Sequence, residues 1–329
     1  MVGLAVGDAM GFPTEFNDMA QIAAKNGPWH TMPLPLSAGR AYVTDDTQMT
    51  LALGEGLLEA LADGGPLTAE RLEPPVRAHF VEWWQSPENN RAPGTTCLRA
   101  CEALSRGGEW GAASQVGSKG CGANMRVAPL GLIPGLDRQQ RSGAAQLQSA
   151  LTHGHPTALA ASDLTAYTVW LLAQGTRPAE LLPALREYAR QNREHYPADW
   201  LGDLAERAHD HDRASFAARG WDECLAVLDR LEGALAAPDP EADPCLATGQ
   251  GWIAEEALAT GLYCFLMLPD DPPAVVRRGA YSSGDSDSIA ALAGAFAGAH
   301  HGVAAWPAEW VEAIEYRDRL LALGAAWDA

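Results

Sequence analysis

Ser283 to Gly302 reads SGDSDSIAALAGAFAGAHHG, an acidic turn running into a segment of Ala and Gly. From Ser288 onward, Ile289, Leu292 and Phe296 fall on one helical face. Small residues elsewhere on that helix let a neighbouring helix approach closely, so the pattern predicts a central helix over 288–302. The rest of the chain repeats the helical period. Met49, Leu53, Leu57 and Leu61 recur at i, i+4 between Gln48 and Asp63, and Gly64-Gly65 ends the run. Thr68 to Gln85 is a second helix, interrupted by Pro74-Pro75. Thr157–Gln174, Pro178–Asn192, Trp200–Phe216, Trp221–Ala237, Trp252–Met267 and Pro307–Leu323 follow. No period-2 run is bounded by turn residues, and no internal repeat is found. The expectation is one all-α domain over residues 1–329, of roughly ten helices, with functional residues on the loops between them.

Composition excludes several classes of protein. The 329 residues are 47% hydrophobic and 20% charged, enough for a large core and too apolar for a disordered chain. Forty-two acidic residues against 23 basic ones give a net charge of −19, which repels phosphate backbones. A broad nucleic-acid-binding face is therefore not expected, although a local pocket for one phosphorylated ligand is compatible with it. The six cysteines show no CxxC pair and no zinc spacing, so Cys97 and Cys101 read as buried small hydrophobes on a helix. No signal peptide or membrane-length apolar run is visible, and a reducing cytoplasm is the expected compartment.

Two acidic turns stand out. Thr44-Asp45-Asp46-Thr47 precedes the Gln48 helix, and Ser283-Gly284-Asp285-Ser286-Asp287-Ser288 precedes the central one. Each has a plain structural use, because acids at a helix start cap free N–H groups and complement the dipole. Each also offers the hard carboxylate and hydroxyl oxygens that Mg²⁺ prefers. A calcium EF-hand is disfavoured, since Phe296 stands where its bidentate Glu would be. If the two turns converge, their carboxylates could not all ionise without cations, and a two-metal site would neutralise them.

Three further motifs are weaker. Gly3-Leu4-Ala5-Val6-Gly7-Asp8-Ala9-Met10-Gly11 fits neither nucleotide-binding fingerprint, and its glycines read as close helix packing. Glu15 follows it on a loop, as a candidate general base or metal-proximal acid. In Gly120-Cys121-Gly122-Ala123-Asn124-Met125-Arg126, backbone N–H groups could hold phosphate oxygens. Arg126 could pair with a phosphate or, equally, with an internal carboxylate. Thr152-His153-Gly154-His155-Pro156 lacks a third soft ligand, so a hydrogen-bonding or structural histidine is expected there.

In this order, the motifs resemble the ADP-ribosylglycohydrolase family. The matching pieces are GLAVGDAMG with Glu15 behind it, TDDT, GCGANMRVAPLGL from Gly120, LTHGHP from Leu151, GQGWIAEEAL from Gly249 and SGDSDSIA. The resemblance implies a compact orthogonal multi-helix domain with a binuclear Mg²⁺ (or Mn²⁺) site on interhelical loops. The implied metal ligands are Thr44, Asp45, Asp46, Asp285, Asp287 and Ser288, with proton handling by Glu15, Asp45, Asp46 and Asp285. Substrate contacts are implied for Gly120, Cys121, Gly122, Ala123, Asn124, His153, Trp252, Ser283 and Gly284. The implied reaction is hydrolysis at C1″ of the distal ribose of an ADP-ribosylated protein or small molecule, releasing ADP-ribose. Nucleic acid would enter only as a modified end or base, and no membrane is involved. The alternative is a non-catalytic ADP-ribose-binding regulatory or immunity protein of the same fold. Three departures stand against the family pattern. Ser283, Ser286 and Ser288 replace a Gly and two Thr, Cys121 stands where Asn is frequent, and the chain starts almost at the first motif.

Overall fold

Two helices rich in small residues lie against each other and set the architecture. A computed structural model describes residues 1–210 and 212–328. In it, Val2–Gly11 runs antiparallel to the central helix Ser286–His301. Gly3 meets Gly294, Gly7 meets Ala290, and Gly11 meets Ser286. A Cβ on Gly7 would stand 1.9 Å from the Ala290 carbonyl oxygen. Only a hydrogen at that position allows the backbones to come so close, which is why the glycines recur every fourth residue. Every residue of Val2–Gly11 is buried, as is the central helix from Ser286 to Ala297.

The other helices enclose this pair. Ala254–Met267 and Pro272–Ala280 pack on the central helix, and Asp45–Leu61 packs on Ala69–Gln85. Arg138–Ala150, Pro156–Ala173 and Arg213–Leu235 form the far wall. The domain is all-helical, with only isolated bridges and no strand among the described residues. No described helix is long and apolar enough to cross a membrane.

Several elements depart from the sequence reading, each for a physical reason. The described chain holds eighteen α-helices rather than about ten, because short ones such as Met19–Asn26 and Pro129–Leu132 carry too few turns to show a period. Ala69–Gln85 continues through Pro74 and Pro75, and the buried Leu72, Val76, Phe80 and Trp83 hold it together despite two missing donors. The expected Trp200–Phe216 helix breaks at Gly202, whose φ is +55°. The long Arg213–Leu235 helix then begins at its Asp212 cap. The C-terminal helix is two helices, Ala308–Ala313 and Arg317–Ala325. Between them, Ala41 N donates to Ala313 O at 2.9 Å and Glu315 N donates to Ala41 O at 3.0 Å. That pairing clamps the segment leading into Thr44.

Candidate metal centre and active site

The antiparallel glycine ladder explains how distant acids meet. It places Gly11, the end of the first helix, beside Ser286 and Asp287, the start of the central one. The chain then turns through Phe12–Thr14 to Glu15. Thr14 fixes this turn: its Oγ1 lies 2.7 Å from Ala280 O, 2.8 Å from Gly11 O and 3.0 Å from Ser286 Oγ. Carboxylate oxygens of Glu15, Asp285 and Asp287 consequently lie within 4.8 Å of one another.

Asp8 brings in the second acidic turn. It is fully buried on the first helix. Its carboxylate accepts from Thr44 N at 3.0 Å, Thr44 Oγ1 at 2.8 Å, Thr47 N at 3.0 Å and Thr47 Oγ1 at 2.5 Å. These donors are the free N–H groups and hydroxyls at the start of Asp45–Leu61, so Asp8 caps that helix from outside it. From the other side Arg91 pairs with Glu315, with Nη2 to Oε1 at 3.0 Å. Glu315 accepts from Val43 N at 3.1 Å. Gly94 N donates to Asp45 Oδ2 at 3.3 Å.

The result is one cleft of about 420 Å³. It is lined by Glu15, Asp45, Asp46, Asp285, Asp287 and Ser288, and also by Gly120, Cys121, Gly122, His153 and Trp252. Cys121 N donates to Trp252 O at 3.1 Å, Ala254 N donates to Lys119 O at 2.9 Å, and Asp285 N donates to Gln250 O at 2.8 Å. The 249–253 segment is thus held between the glycine loop and the SGDSDS turn.

Not every expected site residue reaches the cleft. Thr44, Ala123, Asn124, Ser283 and Gly284 are outside its lining. The Thr44 hydroxyl still stands among the acids, 2.8 Å from Asp8 Oδ1 and 3.3 Å from Asp46 Oδ2, whereas Asn124 Nδ2 donates to Ala254 O at 3.0 Å. Ser283 Oγ donates to Asp243 Oδ2 at 2.5 Å, and Gly284 packs on the Gln250 carbonyl. Arg126 takes neither role left open for it. It is fully buried, stacks 4.3 Å over the Phe80 ring, and bonds Gln148 and Thr152 at 2.7–2.8 Å. It cross-links the loop to the core.

Sequence reasoning missed Asp8, Phe16 and the 92–96 loop. A signal for Asp8 existed, since a carboxylate inside an apolar Gly-rich helix must find buried partners. Phe16 is 70% exposed, has φ +63°, and stacks on Trp252 at the mouth with ring centroids 5.5 Å apart. Nothing in its sequence context marks it.

The electrostatics follow from burial without counter-charge. No Lys, Arg or His forms an ion pair with Asp8, Glu15, Asp45, Asp46, Asp285 or Asp287 among the described residues. Burial, then the neighbouring acids, pushes Asp8 up to about 7, Asp45 to about 8 and Glu15 to about 9. Asp46 and Asp285 are held well above the usual carboxylate range by the same causes, and Asp287 is raised by burial. His153 is pushed down to about 3 by burial and by the Arg126 charge, so its ring is neutral at physiological pH.

These residues suit divalent cations. Asp46 Oδ1 is buried and has no hydrogen-bond partner, which would be costly unless something else satisfies it. Six close acids with no basic side chain paired to them among the described residues are a hard-oxygen donor set with unmet charge.

Comparison with known proteins gives the family and the fold. The ADP-ribosylglycohydrolase profile matches residues 1–328. The chain belongs to the ADP-ribosylglycohydrolase family. Mouse ADP-ribosylhydrolase ARH3 is 28% identical over 340 residues, covering 96% of this chain and 86% of its own. The ADP-ribosyl-[dinitrogen reductase] glycohydrolase of Rhodospirillum rubrum is 28% identical over 320 residues, covering 96% and 89%. A solved structure described as an ADP-ribosylglycohydrolase-related protein complex superposes with a TM-score of 0.63. It is 23% identical and covers 99% of this chain and 94% of the other, a likeness of fold.

Proposed function

We propose that this protein is a hydrolase that releases ADP-ribose from an ADP-ribosylated protein or small molecule, using two Mg²⁺ or Mn²⁺ ions. The observation that carries the reading is the meeting of both acidic turns with Glu15 in one cleft where, among the described residues, no Lys, Arg or His side chain pairs with them. Asp45, Asp46, Asp285 and Asp287, with the Ser288 hydroxyl, would hold the ions, and Thr44 would support them by capping the helix that carries two of these acids. Divalent cations there would supply the charge that balances the acids and lowers the pKa of an attacking water.

The remaining chemistry belongs to the protein. Glycosidic cleavage passes through an oxocarbenium-like state and needs a proton donor or acceptor beside a held sugar. Glu15 is the least buried of the six acids and lies at the mouth, where it can exchange protons with solvent. It would handle the proton at the scissile bond. Neutral His153 can hydrogen-bond a ribose hydroxyl without adding charge. With Cys121 N already bonded to Trp252 O, the Gly120 and Gly122 N–H groups would be the ones to meet a diphosphate, and the Phe16–Trp252 pair offers a flat apolar surface to a planar ring. Six free, buried cysteines suit a reducing cytoplasm.

The test is a panel of arginine-linked, serine-linked and O-acetyl ADP-ribosyl substrates, assayed with Mg²⁺ or Mn²⁺ and with EDTA. ADP-ribose should appear from at least one substrate, vanish with EDTA, and vanish in Asp285→Ala. Full turnover by cation-free Asp285→Ala would remove the site assignment. Tight ADP-ribose binding without turnover on any substrate would replace the hydrolase with a binding protein.

A further inference from the structure

His153 lies beneath the glycine loop, and its two ring nitrogens meet different surroundings. Nε2 is 3.4 Å from where a Cβ on Gly120 or on Gly122 would stand, so that edge of the ring faces the loop and the cleft that both line. No protein group bonds Nε2 among the described residues. Nδ1, across the ring, is 2.8 Å from Oγ1 of the fully buried Thr152.

The direction of that hydrogen bond follows from what surrounds the hydroxyl. Thr152 Oγ1 accepts from Arg126 Nη2 at 2.8 Å, since a guanidinium can only donate. Its single proton has two acceptors in range, His153 Nδ1 at 2.8 Å and Ser149 O at 3.4 Å. Ser149 O already accepts from Thr152 N at 3.0 Å and from His153 N at 2.7 Å, which occupies both of its lone pairs. The proton therefore goes to Nδ1. That occupied carbonyl directs the proton by itself, so the arrangement does not depend on the Arg126 fork. Burial and the Arg126 charge keep the ring neutral. A neutral imidazole that accepts at Nδ1 carries its hydrogen on Nε2.

We propose that Thr152 is a positioning residue for the substrate: its hydroxyl fixes His153 as a hydrogen-bond donor into the cleft, so that the sugar must meet Nε2–H with an accepting oxygen. Thr152 touches no ligand and acts only through the ring beside it. The inference rests on the reading of the cleft as an ADP-ribose site for its ligand, and on the hydrogen bonds alone for the tautomer.

The tautomer is read without ligand, from proton–nitrogen correlation spectra of the histidine rings, with the His153 signal assigned by its loss in His153→Gln. The Nε2–H pattern is expected at neutral pH; an Nδ1–H pattern or a doubly protonated ring overturns the proposal. ADP-ribose affinity is then measured by calorimetry with Mg²⁺ present. Thr152→Val keeps the shape of the side chain but not its hydroxyl. It should lose the single tautomer and bind ADP-ribose about tenfold more weakly, the scale of one hydrogen bond. Thr152→Ser keeps the hydroxyl and should match the unmodified protein in both measurements. Unchanged affinity in a Thr152→Val protein of normal thermal unfolding overturns the positioning role, as does a Thr152→Ser protein that binds as weakly as Thr152→Val. An unmodified protein that shows the Nε2–H pattern yet binds no ADP-ribose overturns the ADP-ribose reading of the cleft, while its spectrum supports the hydrogen-bond relay.

Discussion

Replacing Asp8 by Ala tests whether the first helix assembles the site. Asp8 accepts from two backbone N–H groups and two hydroxyls of the Thr44–Thr47 turn, all of them buried. Thr44 Oγ1 already lies 3.3 Å from Asp46 Oδ2, so its hydroxyl has another acceptor. The two N–H groups have none, and each buried donor left unmade costs about 1–3 kcal/mol. Against this, the variant removes a carboxylate whose pKa is raised by burial, and then by repulsion with Asp287, in the cation-free protein. The net loss should be about 3 kcal/mol with cations bound and smaller without them. At about 2.1 cal/mol/K per residue, that corresponds to a fall in Tm of about 4–5 °C for a chain of this size. The loosened turn should also weaken Mn²⁺ binding by about 10–100-fold, as loss of supporting contacts does elsewhere. Scanning calorimetry with Mg²⁺ and with EDTA reads the first effect, and electron paramagnetic resonance of free Mn²⁺ reads the second. An Asp8→Ala protein that unfolds within about 1 °C of the unmodified one, with unchanged Mn²⁺ affinity, would refute the anchoring role.

Other predictions follow from the same geometry. Asp8, Asp45 and Glu15 are raised to about 7, 8 and 9, so their contribution to cation-free stability is full below the unfolded value of about 4 and is lost as pH rises through those folded values. The gain in Tm on adding Mg²⁺ should therefore grow between pH 6 and pH 9, and a flat increment would contradict the unbalanced acid cluster. Gly7→Ala forces a methyl against the Ala290 carbonyl and should cost about 3 kcal/mol or more. Gly233→Ala, with open space around it inside a helix, should instead stabilise by about 0.5–1 kcal/mol; chemical denaturation separates the two. Arg126→Lys keeps the charge but loses the fork on Gln148 and Thr152 and the stacking on Phe80. It should destabilise by about 2–4 kcal/mol without a specific rise in KM, whereas a selective KM effect would return Arg126 to a substrate role. Trp252→Ala should raise KM several-fold with kcat little changed, since its ring stacks on Phe16 at the mouth of the cleft and brings no proton-transferring group.

The all-helical class was legible in the sequence alone, because an apolar stripe every three to four residues is a local property of the chain. Pro178–Asn192 was read to the residue for that reason. The two acidic turns were legible too, since each precedes a helix and each gathers oxygen donors within a few residues. The order of the motifs was enough to suggest the family. Tertiary structure alone decided that the two turns meet. That depends on Gly3, Gly7 and Gly11 abutting Gly294, Ala290 and Ser286, and on Asp8 reaching across to Thr44 and Thr47. It also decided that Arg126 faces the core and that Phe16 covers the mouth. Spacing along a chain reports which residues share a face of one helix, but it carries no information about which helix lies opposite. A buried carboxylate shows its purpose only when its partners, distant in sequence, are in place.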